Sequence, residues 1–233
     1  MKTVVKAAPA FWVVIPAAGV GARMQADRPK QYLLLAGRSI LEHTLDCFLD
    51  HPCLKGLVVC LAAADPYWPE LACAADPRIQ RAEGGRERAD SVLSGLRALA
   101  GLGAKDQDWV LVHDAARPNL TREDLQCLLE ALADDPVGGL LALPARDTLK
   151  RAQPDDRVLE TVDRSHVWQA FTPQMFRFGT LQQALSSALK EGATITDEAS
   201  AIELSGLAPR LIEGRADNLK VTRPEDLQLL RLL

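Results

Sequence analysis

The chain has 233 residues, of which 48% are hydrophobic, which is enough for one α/β domain with a sizeable core, with or without a small appendage. Its formal charge is −4, and 27 Lys and Arg residues are dispersed among 31 Asp and Glu residues without a basic run. This pattern argues against a nucleic-acid partner, and no apolar stretch approaches the ~20 residues needed to span a membrane. We therefore expect one domain, residues 1–233, that acts on a small molecule.

The first predicted strand, residues 13–15, runs through Pro16 into a loop that carries two cations, Arg23 and Lys30. The loop begins with three small residues, Ala17, Ala18 and Gly19. Bare backbone N–H groups and nearby cations at the carboxyl end of a strand are typical of an anion site, and we expect a polyphosphate. The alternative is a tight structural turn followed by two solvated cations.

Neither of two familiar phosphate-binding motifs is present. The dinucleotide-binding fingerprint requires a third glycine where this chain has Met24, and the P-loop pattern G-x-x-x-x-G-K-[ST] does not occur. The missing glycine disfavours a dehydrogenase. The ligand of the first loop must therefore be inferred from the rest of the chain.

Predicted strands and helices alternate along most of the chain. In order they are a helix at 40–49, strands at 56–62 and 78–83, a helix from Arg88, a strand at 109–113, a helix after Thr121, a strand at 138–143, helices at 180–191 and 197–204, a strand at 209–213 and a final helix. Thr121 with Asp124, and Thr222 with Glu225, have capping-box spacing. Strands rich in Val and Leu indicate a mostly parallel sheet covered on both faces. Ligands of such sheets bind beyond the carboxyl ends of the strands, where loops 17–30, 84–91 and 114–118 lie.

Residues 145–171 break this alternation. Two short charged segments, at 147–152 and 157–164, flank a turn at 153–156 and predict a β-hairpin with few core residues. A two-stranded ribbon is marginally stable alone, so we expect this arm to pack on something else, such as another subunit.

The cysteine count and the N-terminus bear on location. Five cysteines without metal-like C-x-x-C spacing favour a reduced, cytoplasmic setting over a disulfide framework. Lys2 and Lys6 before an apolar run loosely imitate a secretory signal, but Pro9 and Pro16 interrupt the run, and cleavage near Ala17 would remove the first strand. We expect a cytoplasmic protein.

Eight segments match one family in order and spacing. They are P-A-A-G-V-G-A-R-M and P-K-Q-Y within 16–32, G-G-R-E-R-A-D-S-V at 84–92, V-H-D-A-A-R-P at 112–118, R-D-T-L-K-R at 146–151, T-V-D-R at 161–164, T-D-E-A-S at 196–200 and E-G-R-A-D-N-L-K-V-T-R-P-E-D at 213–226. From Ile15 onward the chain resembles the 2-C-methyl-D-erythritol 4-phosphate cytidylyltransferases. This family joins CTP to a sugar-alcohol phosphate with release of pyrophosphate, assisted by Mg²⁺.

The resemblance implies roles for cations around the phosphates. Arg23 and Lys30 would grip the triphosphate and stabilise the transition state, and Lys220 and Arg117 match residues that surround the substrate phosphates. Such cations suit the reaction, because two anions meet and charge collects on the equatorial oxygens and the leaving pyrophosphate.

The resemblance also assigns Mg²⁺ to two carboxylates. Asp114 directly follows a predicted strand and Asp217 follows the last one, so both can reach one end of the sheet, and hard oxygen ligands suit Mg²⁺. The alternative is that Asp114 caps a turn and Asp217 merely precedes a helix. Alternation along the strand points His113 away from Asp114, so we expect a structural role for it.

Two substrate-binding groups also come from the family. Gly84, Gly85 and Ser91 resemble its cytosine pocket, whereas Arg86 stands where some relatives carry an acid, so only its backbone is expected to make contact. Thr148 and Arg164 match arm residues that hold methylerythritol phosphate in the neighbouring subunit of the family's homodimer. Without the family match, both would be ordinary exposed hairpin residues.

The sequence thus predicts a three-layer, Rossmann-like α/β nucleotidyltransferase fold with a mostly parallel sheet and an extended β-hairpin arm. The predicted enzyme is a homodimeric, Mg²⁺-dependent cytidylyltransferase acting on methylerythritol phosphate. A ribitol-phosphate cytidylyltransferase would share the fold and many motifs, although residues 161–164 and 194–200 favour the first acceptor. A non-catalytic nucleotide-binding subunit would be expected to lack Arg23, Lys30 or Asp114, and all are present.

Overall fold

The computed structural model describes residues 8–19, 24 and 27–232. The strands are β1 (Phe11–Pro16), β2 (Leu34–Leu35), β3 (Arg38–Ser39), β4 (Leu54–Leu61), β5 (Ile79–Glu83), β6 (Trp109–Val112), β7 (Gly138–Pro144), β8 (Leu149–Ala152), β9 (Val158–Val162), β10 (Trp168–Arg177) and β11 (Arg210–Glu213). The α-helices are α1 (Ile40–Leu49), α2 (Arg88–Gly101), α3 (Arg122–Leu132), α4 (Phe178–Lys190), α5 (Glu198–Leu204) and α6 (Pro224–Leu230). Short 3₁₀ helices occupy Lys30–Tyr32, Trp68–Glu70 and Ala72–Ala75.

A seven-stranded sheet runs through the described part of the chain in the order β11-β7-β10-β6-β1-β4-β5. Strand β1 pairs in parallel with β4 and β6, β4 with β5, and β11 with β7, whereas β10 is antiparallel to both of its neighbours. The prediction of a mostly parallel sheet between helices is confirmed.

Strand β10 was not predicted, and its first residues had been assigned to the arm. It is ten residues long and lies between β6 and β7. Pro173 cannot donate to a ladder, and the β10–β7 register shifts between Ala170 and Gln174. The arm is therefore shorter than 145–171, because Trp168 already pairs with Pro144.

Side-chain alternation along β1 builds a core on each face of the sheet. Phe11, Val13 and Ile15 are fully buried in the cluster that contains side chains of α1 and α3. Trp12 and Val14 point the other way, into the cluster formed with α2 and α4. Because β1 is buried on both faces, its carboxyl end is held firmly under the loop that follows it.

Most predicted helices are confirmed, but two predicted caps differ. The Thr121 hydroxyl accepts the Asp124 N–H, but the Asp124 carboxylate accepts the N–H of Arg215 and does not complete a capping box. Thr222 and Glu225 do not cap α6, since the Asp226 carboxylate accepts the N–H groups of Thr222 and Arg223 instead.

The predicted hairpin forms as the antiparallel pair β8 and β9. Its residues 150–161 are all exposed, including the apolar side chains of Val158 and Leu159, at 59% and 57%. Elsewhere, no helix in the described ranges combines the length and apolarity that a bilayer crossing requires.

Candidate active site

A pocket of about 200 Å³ lies beyond the carboxyl ends of β1 and β6. Most of its walls come from the three loops that were expected to meet there, and Pro16, Gln31 and Lys220 add to them. The lining residues are Pro16, Ala17, Ala18, Gly19, Lys30, Gln31, Gly85, Arg86, Glu87, Arg88, Ser91, Asp114, Ala115, Ala116 and Lys220. We call this the first pocket. Its position agrees with the rule for parallel sheets.

Glycine is required where two of these loops touch. A Cβ at Gly84 would stand 2.3 Å from the Ala18 Cβ, well inside van der Waals contact. The neighbouring Gly85 N–H donates to Ser91 Oγ over 3.0 Å, and the Ser91 hydroxyl donates to the Glu87 carbonyl. Ser91 therefore braces the start of α2 as well as lining the pocket.

Asp114 is buried among three cations. Its Oδ1 lies 3.1 Å from Arg88 Nε, and its Oδ2 lies 2.8 Å from Lys220 Nζ and 3.5 Å from Arg117 Nε. Burial alone would raise the pKa of Asp114, but Arg88 and Lys220, followed by Arg117, hold it well below its usual range. The carboxylate is therefore ionised at any physiological pH.

Arg88 joins Asp114 to a second buried carboxylate. Its Nη1 and Nη2 donate to Glu198 Oε1 and Oε2 over 2.6 and 3.0 Å. Burial would lower the pKa of Arg88, but Glu198 and then Asp114 raise it above its usual value. Neither Arg88 nor Glu198 was predicted as a site residue, because this ion pair joins residues 110 positions apart.

His113 is structural, as predicted, and it supports the backbone at Asp114. Its Nε2 lies 3.0 Å from the Arg117 carbonyl, which can only accept, so Nε2 carries the hydrogen. Nδ1 then accepts from the Thr172 hydroxyl, which in turn accepts the Asp114 N–H. Burial lowers the pKa of His113 to about 4, so the ring is neutral.

Lys30 lies in a 3₁₀ turn that is tied to the first loop. Its Nζ donates to the Val221 carbonyl over 2.9 Å, and the adjacent Gln31 donates to the Ala17 carbonyl over 2.7 Å. Lys30 and Lys220 thus line one pocket, as predicted. Arg23 lies outside the described residues.

A second pocket of about 250 Å³ shares Arg88, Asp114 and Lys220 with the first. Its other walls are Arg117, Ala170, Phe171, Thr172, Gln174, Thr196 and Asp197. The Arg117 guanidinium stacks over the Phe171 ring at 4.9 Å and donates to the Asn218 carbonyl. The residues from β10 were not predicted as site residues. Thr196 was not predicted either, although it belongs to the motif T-D-E-A-S, which could have indicated it.

Four predicted site residues, Gly84, Asp217, Thr148 and Arg164, are not among the described residues that line either pocket. Gly84 donates its N–H to the Leu61 carbonyl over 2.7 Å, directly beside the first pocket. The Asp217 carboxylate pairs with the Arg215 guanidinium. Thr148 and Arg164 lie on the exposed arm, where Arg164 Nη1 donates to the Arg146 carbonyl. The loop of Asp217 lies at the same end of the sheet as Asp114, as predicted, since β11 and β6 run in the same direction and the adjacent Asn218 contacts Arg117. The role of Asp217 as a metal ligand stays a prediction.

Carboxylate oxygens are the protein ligands that Mg²⁺ would use at this site. In the described ranges, no group of three or more His, Cys, Asp or Glu side chains could hold a metal ion. Mg²⁺ at a phosphate site commonly uses one or two carboxylates, waters and substrate oxygens. The buried, ionised Asp114 fits that mode, and Asp217 in its present pairing does not.

Comparison with known proteins is consistent with this architecture. The sequence model of the 2-C-methyl-D-erythritol 4-phosphate cytidylyltransferase family matches residues 11–232. A protein of that name from Pseudomonas fluorescens (strain SBW25) is 75% identical over 224 residues, which cover 96% of this chain and 95% of the relative. The protein of the same name from Ectopseudomonas mendocina (strain ymp) is 73% identical over 221 residues, covering 95% and 94%.

Solved structures give the same result. A crystal structure of 4-diphosphocytidyl-2C-methyl-D-erythritol synthase is 40% identical, with a TM-score of 0.84 over 96% of this chain and 98% of that one. The Francisella tularensis 2-C-methyl-D-erythritol 4-phosphate cytidylyltransferase is 34% identical, with a TM-score of 0.84 over 96% and 99%. The chain belongs to the 2-C-methyl-D-erythritol 4-phosphate cytidylyltransferase family and is a nucleotidyltransferase.

Proposed function

We propose that the two pockets hold the two substrates of the family's reaction, with CTP in the first and methylerythritol phosphate in the second. The enzyme transfers a cytidylyl group from CTP to 2-C-methyl-D-erythritol 4-phosphate, giving 4-diphosphocytidyl-2-C-methyl-D-erythritol and pyrophosphate. One observation carries this assignment: Arg88, Asp114 and Lys220 line both pockets, so charged groups stand where two phosphates would meet.

The chemistry requires little from the protein beyond positioning and charge. An oxygen of the acceptor phosphate attacks the α-phosphorus of CTP, and the bond to the bridging oxygen breaks as pyrophosphate leaves with the electron pair. The phosphate oxygen is already anionic, so no general base is needed. Lys30 and Lys220, with Arg23 as the sequence predicts, would offset the repulsion and stabilise the transition-state charge.

Asp114 is the side chain that would hold Mg²⁺, together with oxygens of CTP. When bound, the ion would supply further positive charge against the phosphate oxygens. Lys220 now lies 2.8 Å from the Asp114 carboxylate and could contact a substrate phosphate instead. Asp217 remains a predicted ligand that would first have to leave Arg215.

Cytosine recognition fits the crowded end of the first pocket. Gly85 and Ser91 line this end of the pocket, and the close approach of Gly84 to Ala18 beside it would leave a narrow space suited to a pyrimidine. Ser91 offers a hydroxyl already anchored to the Glu87 carbonyl.

We also infer that the enzyme works as a homodimer that exchanges its arms. The exposed hairpin supports this, because a two-stranded ribbon with Val158 and Leu159 in solvent is marginal without a partner. Thr148 and Arg164 would then complete the second pocket of the other subunit. A cytoplasmic location is consistent with the thiols, because all five cysteines are unpaired.

Pyrophosphate release tests the assignment directly. The protein would be incubated with CTP, Mg²⁺ and either methylerythritol phosphate or ribitol phosphate, with ATP in place of CTP as a nucleotide control. Turnover only with CTP and methylerythritol phosphate is expected. Preference for ribitol phosphate would overturn the acceptor, and binding of CTP without turnover on either acceptor would instead support a non-catalytic subunit.

A further inference from the structure

Arg88 is held between two buried carboxylates, and only one of them belongs to the proposed catalytic group. Glu198 is fully buried and takes both terminal nitrogens of the guanidinium, at 2.6 and 3.0 Å. The remaining donor, Arg88 Nε, bonds Asp114 Oδ1 at 3.1 Å. All three guanidinium nitrogens of Arg88 therefore donate hydrogen bonds to carboxylates. The orientation that suits one carboxylate thus determines how the guanidinium meets the other.

Glu198 is itself placed by the strand that carries part of the second pocket. Gln174 of β10 is 1% exposed, and its side chain hydrogen-bonds to Asp197 and Ala199, the residues on either side of Glu198. Its Nε2 donates to Asp197 Oδ2 and its Oε1 accepts the Ala199 N–H, each over 2.8 Å. The carboxylate of Glu198 therefore has a fixed position relative to the sheet.

The pair also sets the local balance of charge. Three cations, Arg88, Arg117 and Lys220, surround Asp114. Glu198, which is fully buried, offsets the charge of Arg88. A buried ion pair is weak evidence for stability, because desolvation opposes the attraction, so this arrangement calls for a functional explanation.

We propose that Glu198 is a positioning residue that acts through Arg88 on Asp114. Glu198 binds the terminal nitrogens of Arg88, and this keeps Arg88 Nε on Oδ1 of Asp114. Oδ2 of Asp114 then faces Lys220, where the metal and the phosphates of CTP would bind. Without the negative charge of Glu198, Arg88 would turn its terminal nitrogens to Asp114 and occupy the oxygen needed by the metal. This inference rests on the proposed role of Asp114 as the metal-binding carboxylate.

The test compares Glu198→Gln with Glu203→Gln, an identical change at an exposed position of the same helix. Binding of Mn²⁺ in the presence of CTP would be measured by electron paramagnetic resonance, alongside kcat and the KM for CTP. Glu198→Gln should weaken Mn²⁺ binding and lower kcat by roughly 10–100-fold, the usual range for losing a partner behind a metal ligand. The KM for CTP should change far less, and Glu203→Gln should match the wild type in all three.

Two further variants distinguish the effect of the charge of residue 198 from that of its geometry, and they keep the test usable if one variant fails to fold. Glu198→Asp keeps the charge and should recover part of the Mn²⁺ affinity. Arg88→Lys keeps a cation but cannot bridge both carboxylates, and combining it with Glu198→Gln should be no worse than the poorer single variant, because the two act as one unit. If Glu198→Gln does not fold, Arg88→Lys carries the same measurements.

The outcomes distinguish this inference from the proposed function. A folded Glu198→Gln protein with wild-type Mn²⁺ affinity and kcat overturns the positioning role, as does a loss confined to thermal stability. Asp114→Asn is measured in parallel, because an amide is a poorer ligand for a hard dication. If Asp114→Asn leaves Mn²⁺ binding unchanged, the proposed role of Asp114 fails, whereas loss in Asp114→Asn alone rejects only the link through Arg88.

Discussion

Lys30 offers a direct test of charge stabilisation at the reacting phosphates. Its Nζ lies 2.9 Å from the Val221 carbonyl, and it lines the first pocket. Lys30→Ala should lower kcat at least ~10²-fold, the scale of losing one preorganised electrostatic group, while the fold is retained. Steady-state pyrophosphate release would be compared with Lys105→Ala, an exposed lysine just before β6. Near-normal kcat in Lys30→Ala would remove this residue from the mechanism.

His113 should make the protein acid-sensitive before its carboxylates titrate. Burial lowers the folded pKa of this histidine to about 4, whereas the unfolded chain binds the proton near the ordinary value of 6.5. As the pH falls through this window the unfolded state binds more protons, so the free energy of unfolding should fall, by about 3 kcal/mol if His113 remains unprotonated throughout. Urea unfolding at a series of pH values would show a smaller fall for His113→Gln. Equal slopes in both proteins would contradict this origin.

The position of a charged residue at the sheet edge could be predicted where the local sequence pattern and the residue's chemistry agree. Asp114 could be selected because it follows a buried strand and carries a charge at the sheet edge where ligands bind. Glu198 could not, because its partner Arg88 is 110 positions away and no local spacing encodes that pair. Asp217 was expected at the pocket on similar grounds, but its loop also supplies Arg215, which takes the carboxylate.

At the scale of elements, the contact between the loops after β1 and β5 should control CTP binding. In Gly84→Ala, the new Cβ would stand 2.3 Å from Ala18 Cβ, an atom fixed to the backbone, so the first loop must shift. We expect kcat/KM for CTP to fall at least ~10-fold, since a misplacement of about 1 Å near reacting groups is costly. Gly101→Ala, which meets nothing within 4 Å at the end of α2, is the matched control. Equal kcat/KM in the two variants would show that the loops tolerate separation.

Elements with a regular hydrophobic periodicity could be predicted from the sequence, whereas strand β10, which mixes apolar and polar residues, could not. Helix α1 begins and ends where its apolar stripe does, at Ile40 and Leu49, and Ser39 caps it with Glu42 in a full capping box. Strand β10 interrupts its apolar residues with Pro173 and polar side chains that have specific buried tasks, such as Gln174. Its pattern reflects tertiary hydrogen bonding, which hydrophobic periodicity does not report.

At the scale of the whole molecule, the sheet gathers the charged groups while leaving the arm outside the core. Strands β1 and β6 deliver the first loop and Asp114 to one edge, and β10 brings Thr172 beside them. Hairpin β8–β9 contributes no residue to either pocket among those described. The proposed homodimer would give each arm a partner, because in a closed twofold pair both arms pack on equivalent surfaces of the other subunit.

Subunit mixing tests whether Arg164 serves the pocket of the other chain. Lys30→Ala and Arg164→Ala proteins would be combined in equal amounts under conditions that allow exchange, and pyrophosphate release measured. In a mixed dimer with exchanged arms, one site inherits both changes and the other inherits neither, so random pairing should restore roughly a quarter of wild-type activity. If Arg164 serves its own chain, every site carries one change and mixing restores nothing. That result, with exchange confirmed by mass spectrometry of the intact dimers, would reject the shared site, whereas failure of the chain to dimerise at all would reject the arm exchange itself.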